Sequence, residues 1–165
     1  MNKIGILPAE LHDAETSLAA EWRTVGERHA AEHDVYYHGR MLATQCGKHA
    51  EAVRAIAQQF EKNLSGPSGP QIPHNVMAGI RRKTSELLGH RPEPGLLLLR
   101  DLRQLYLMAE EVSIHWLALG QVAQAVPDHD LLDQVTAYHK QTLAQSKWLK
   151  TRLRQACPQI LLVPA

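Results

Sequence analysis

Cysteine is almost missing from this 165-residue chain: it has only Cys46 and Cys157. Two cysteines exclude a disulfide framework, and their spacing excludes a CxxC zinc pattern. Aromatic residues make up only 5%. A core must then be built from Leu, Val and Ala, a palette that suits helices better than sheets. No run approaches the roughly 18 apolar residues of a membrane span. The opening MNKIGILPAELHDAE has no apolar stretch of signal-peptide length and soon turns acidic, so a reducing, cytoplasmic setting is expected. An excess of one charge is lacking as well. Lys and Arg total 18 against 17 for Asp and Glu, which removes any global argument for nucleic acid or an anionic membrane. Gly-rich phosphate loops, nucleophile-elbow motifs and solenoid repeats do not occur.

What the chain does have is helical periodicity. Apolar residues recur at steps of three and four over four long segments, about 9–32, 35–64, 96–126 and 129–156. The first carries Leu11, Leu18, Trp22, Val25 and then His29. The second carries Val35, Leu42, Cys46, His49, Val53, Ile56 and Phe60. The third carries Leu98, Leu102, Leu105, Ala109, Val112, Trp116, Leu119 and Ala123. The fourth carries Leu132, Val135, His139, Thr142, Ser146, Leu149 and Leu153. The stretch 65–73, SGPSGPQIP, is a loop that no helix crosses, and 89–95, GHRPEPG, is a second break. A short helix is expected between them, over 74–88. Pro127 ends the third helix and Asp128 stands as the cap of the fourth. No proline divides the first two helices, so Asp34 as an N-cap or Gly39 as a break is the expected turn. The tail Pro158–Ala165, PQILLVPA, reads as apolar and extended.

Short first and last connections imply two antiparallel hairpins in one all-α domain over 1–165. The connection between the hairpins is about 30 residues, with a small helix inside it. Long hairpin, crossover, long hairpin: in that architecture the chain resembles the ferritin-like superfamily, which implies a four-helix bundle with one long crossover. The stretches HAAEHDVYYHGRMLATQCGKH and QSKWLKTRLRQACPQILLV also resemble a bacterial family of small helical proteins, a resemblance that brings no activity with it. A ferritin-type di-iron centre needs a Glu on each of two helices and a Glu-x-x-His on each of the other two. The chain contains no Glu-x-x-His, and no glutamate follows Glu111. The resemblance therefore implies a fold and not ferroxidase chemistry.

A smaller metal site has two candidate locations. Glu21, His49, Glu111 and His139 fall near the midpoints of the four helices, with His115 at the edge of the third stripe. Such a layer is where bundles build metal sites, and imidazole with carboxylate suits iron, zinc or manganese. Glu111 projects roughly 110° from the centre of its stripe; Glu15 is an alternative carboxylate. The second location is the first turn: His29, Glu32 and His33 form an HxxEH run, followed by His38. The competing reading of each is structural. A buried His49 or His139 pairs with Glu15, Thr142 or Ser146 to satisfy its polar atoms. His29 and its neighbours complement the dipole at a helix end. Cys46 reads as a small core residue; beside His49 at i, i+3 it also invites a nucleophile reading, with no oxyanion motif to support it.

The third helix is apolar on a second face, through Leu99, Leu107, Ile114 and Leu117. The short helix, with Val76, Ile80 and Leu87, or a homodimer interface is expected to cover it. Lys147, Lys150, Arg152 and Arg154 beside Trp148, with Arg81–Lys83, are basic spots, but near-zero net charge argues against nucleic acid. Two readings stand side by side: a metal-binding bundle, and a non-catalytic module that self-associates or docks a protein partner through the third helix and the tail.

Overall fold

The computed structural model describes residues 3–62 and 93–163, which form α1 (Ile6–Arg28), α2 (His33–Lys62), α3 (Pro94–Ala125) and α4 (His129–Leu162). Among the described residues there is no strand. The expected helix 74–88 and the loop 65–73 lie outside them. No described helix is long and apolar enough to cross a membrane.

Side-chain pairs set the directions. His29, just past the end of α1, meets Asp101 near the start of α3. Glu15 in mid-α1 meets Trp116 farther along α3. The two helices are therefore antiparallel. Arg152, late in α4, reaches Glu32 and Asp34 at the start of α2. So α1 and α4 run one way, and α2 and α3 the other. The chain leaves α2 at one end of the bundle and enters α3 at the opposite end. Backbones of α1–α2, α3–α4 and α1–α3 pack closely, while α2 and α4 meet mainly through side chains.

The stripes of α1, α2 and α3 are the buried faces the periodicity predicts. The stripe of α4 is turned slightly. Leu131, Val135, Thr142, Gln145, Ser146, Leu149 and Ala156 are buried, and Leu132, His139 and Leu153 are half-buried at its margin. Asp128 caps α4 as expected: its side chain accepts the Leu131 N–H at 3.0 Å.

Three expectations about helix ends need correction. The first helix stops at Arg28 instead of about residue 32, and His29–Glu32 form a tight turn in which the Glu32 N–H donates to the His29 carbonyl at 2.9 Å. Asp34 is inside the first turn of α2, not before it, and its carboxylate is held by Arg152. The tail is helical to Leu162, through Pro158. A proline inside a helix removes one donor, and packing beyond it holds the turn together: Ile160 sits so close to Gly95 that a Cβ there would meet Ile160 Cγ2 at 2.8 Å.

Gly39 is not a break either. It lies buried within α2, back to back with Gly26 of α1. A Cβ on Gly39 would stand 2.7 Å from the Trp22 carbonyl oxygen and 2.9 Å from Gly26 Cα, both backbone atoms that cannot step aside. Glycine here permits two helix backbones to touch. Gly47, exposed in the same helix, has nothing within 4 Å of such a Cβ. Gly47→Ala should stabilise the fold by about 1 kcal/mol through helix propensity. Gly39→Ala should destabilise it by about 1–3 kcal/mol through overpacking that outweighs the same gain. Urea midpoints of the two variants, moving in opposite directions, check this.

Candidate functional site: a polar layer across the core

On α1 the stripe from Leu11 to Leu18 has an inward position between them, four residues from one and three from the other. That position is Glu15, and its side chain is 0% exposed. Carboxylates are almost never fully buried without partners. Its Oε1 accepts the Trp116 indole N–H from α3 at 2.7 Å and lies 2.9 Å from His49 Nδ1 on α2. The other ring nitrogen of His49 is 2.7 Å from Gln141 Oε1 on α4. Both imidazole nitrogens thus face oxygen atoms of neighbouring helices. Trp116 stands edge-on to the His49 ring and Tyr138 is tilted against it, with centroids 6.0 and 5.0 Å away. Glu15 Oε2 is buried with no hydrogen-bond partner among the described residues.

A second set of bonds lies beside this one. Gln145 of α4 accepts the Trp22 indole N–H at 3.0 Å and donates to Gln45 Oε1 at 2.8 Å. Its amide also donates to Cys46 Sγ at 3.4 Å. Burial, and then the Glu15 charge, push the Cys46 thiol far above its ordinary pKa. The His49 ring is turned to Glu15 and Gln141 and is not placed as a base on that sulfur. Cys46 is a fully buried core residue whose thiol is held protonated, which argues against the nucleophile reading.

At the hairpin end, Asp101 of α3 is buried among cations. Its Oδ2 is 2.9 Å from His29 Nε2 and accepts from Arg28 at 2.7 Å, and Arg100 approaches Oδ1 at 3.4 Å. Burial works to raise the Asp101 pKa. The His29 and Arg28 hydrogen bonds and the Arg28 and Arg100 charges outweigh it, so the carboxyl is held below its usual range. Above this pair, Arg152 donates to Asp34 at 2.6 Å and to Glu32 at 2.8 Å. His38 stacks on Trp148 with centroids 4.2 Å apart, and its Nδ1 meets the Asp34 carbonyl oxygen at 2.9 Å.

The structure therefore brings some of the sequence-selected residues to polar partners but not to one another. His49 is in the central layer with Glu15, while Glu21 is half-buried farther along α1. His139 turns to Ser113 of α3 at 3.0 Å, and burial lowers its pKa. His115 approaches Glu10 at 3.9 Å, and Glu111 faces solvent. His29, Glu32 and His38 diverge to Asp101, Arg152 and Trp148. Among the described residues, no group of three His, Cys, Asp or Glu side chains is arranged to hold a metal ion. No protein-family model, curated protein or solved structure matches the chain.

Gln145 and Gln141 were not anticipated as site residues. Gln145 sits three residues from Thr142 and four from Leu149, a spacing that marks it as inward-facing. Gln141 is exposed and carries no such signal.

Two outcomes follow from these bonds. Glu15→Ala and His49→Ala should each lose about 3–5 kcal/mol, because each strands a buried polar partner. The double variant should lose clearly less than the sum, since the two share one interaction. Additive losses in a denaturant-based double-mutant cycle would show that the pair is not coupled. The stability that Asp101 contributes is fully present above the ordinary carboxyl pKa of 3.8. It is lost as pH falls through the lower folded-state value. Asp101→Asn should therefore cost more at pH 7 than at an acid pH below that value, a narrowing readable from urea midpoints at the two pH values.

Proposed function

We propose that the protein is a non-enzymatic assembly module, a four-helix bundle of ferritin-like topology that self-associates through the outer face of α3. The observation that carries this reading is the apolar surface of that face. Leu96, Leu107, Ile114 and Leu117 are 47–62% exposed on one helix, whereas the inner face of the same helix is already packed. Large apolar residues gathered on one solvent face mark interaction surfaces. Leu161, Leu162 and Val163 extend the apolar surface at the end of α4. The ferritin-like assignment rests on parallel α2 and α3 joined across the length of the bundle. The missing Glu-x-x-His pairs take ferroxidase chemistry out of it.

One observation favours a second reading. Among the described residues Glu15 Oε2, beside His49, is buried with no hydrogen-bond partner. Carboxylate and imidazole are ligand types for iron, zinc or manganese, and an ion there would have to displace the Glu15–His49 bond.

Light-scattering mass over a range of concentrations, with elemental analysis of the same untagged protein, tests both. A mass that rises to that of a dimer, and that Ile114→Lys holds at the monomer, is the expected result. A monomer at every concentration overturns the assembly reading. Near-stoichiometric iron, zinc or manganese, lost in His49→Ala or in His29→Ala, installs the metal reading.

A further inference from the structure

The outer face of α3 carries charge as well as apolar area, and the two are ordered. At about 100° per residue, Arg100, Arg103, Leu107, Glu111 and Ile114 fall within one narrow strip. Their steps are three, four, four and three, a spacing that reads the same in both directions about Leu107. The charges do not read the same: arginine lies before the centre and glutamate after it. Arg103 and Glu111 are exposed, and neither has an ion-pair partner among the described residues.

A strip with palindromic spacing and opposite charge in its two halves complements itself when a second copy is turned end for end. The geometry points to a two-fold dimer in which α3 packs antiparallel against α3 of a second copy about an axis at Leu107, with Arg103 of each copy facing Glu111 of the other. This rests on the self-association reading above and specifies its register. Leu107 meets its own counterpart on the axis. Arg100 lies over Ile114 of the second copy, covering it with its methylene stem. Beside the first half of the strip, Leu96, Leu99, Arg100 and Arg103 join Leu153 and Cys157 of α4 in lining an open groove of about 390 Å³. The same two-fold carries Leu117 of the second copy, 49% exposed on its own, to the mouth of that groove.

Three alternative arrangements are opposed by charge. Parallel α3 helices would set Arg103 beside Arg103. Moving the axis one turn toward the helix start, to Arg103, slides one helix two turns on the other and brings the arginines of the two copies together. Sliding it the other way brings Glu110 and Glu111 together. Like charges in contact are a strong device against wrong pairing, and an isologous interface needs this kind of self-complementarity.

The test uses the full chain with Cys157→Ser, Cys46 being buried. Under mild oxidation, Leu107→Cys should form a covalent dimer and Ile114→Cys should not. Arg103→Glu and Glu111→Arg should each weaken the dimer on the order of tenfold or more, and the two together should restore it. Both sites are on the surface, and circular dichroism confirms that the variants fold. Cross-linking at position 114 instead of 107, or a dimer that the double charge swap leaves weakened, overturns the register while self-association stands. A chain monomeric at all concentrations overturns both.

Discussion

The Glu15 carboxylate is the constraint on which the rest of the bundle depends. A charged group taken wholly out of water is tolerable only where donors meet it. One of its oxygens is met by the imidazole of α2 and the indole of α3. Apolar stripes alone let helices slide and rotate by a turn at little cost, because one Leu replaces another. A bond between Glu15 and Trp116 does not permit that slide. His49 carries the constraint on to Gln141 of α4, and Gln145 ties α4 to Trp22 and Gln45. Four helices are thus held at one axial level by side chains that cannot be exchanged for neighbours a turn away. We attribute to this layer the register of the bundle more than its stability, in keeping with the small net gain of buried ion pairs.

Much of the fold is legible in single-helix patterns. The inner faces of α2 and α3 and the cap at Asp128 come from periodicity and punctuation. The failures share a cause: they depend on what lies across from a residue. Gly39 reads as a break along the chain, yet its role is set by the Trp22 carbonyl on another helix. The tail from Pro158 reads as extended, yet it is helical to Leu162 and Ile160 packs on Gly95. The rotated stripe of α4 has the same origin. Trp22 needs an acceptor in the core, and Gln145 turns inward to supply it while Leu132 moves to the margin.

The candidate site was half legible for a related reason. Histidine on an apolar stripe correctly marked His49 as part of a polar layer. Its carboxylate partner, Glu15, is one of the three side chains the structural reading names for it, and it fills the inward gap in the α1 stripe. The HxxEH run illustrates the opposite error. Its residues share a face only while the helix continues, and α1 ends at Arg28. Beyond that point the turn sends His29 inward to Asp101 and Glu32 outward to Arg152. The residue types that chelate metal are also those that satisfy buried polar atoms, so composition cannot separate the two. The pairing in space is what separates them.

The polar contacts inside the bundle also govern its outside. α3 is apolar on two faces, and hydrophobicity alone would let either face the core. Three contacts decide between them. Asp101 turns to His29, Ser113 to His139 and Trp116 to Glu15. With those three inward, the helical period leaves Leu107 and Ile114 no choice but solvent, with Arg103 and Glu111 between and beside them. A rotation that buried the outer strip would expose Trp116 and tear the indole from a carboxylate that has no access to water. The apolar outer face of α3 is therefore a consequence of the buried layer. Weakening Glu15 would loosen that outer face without touching a residue on it.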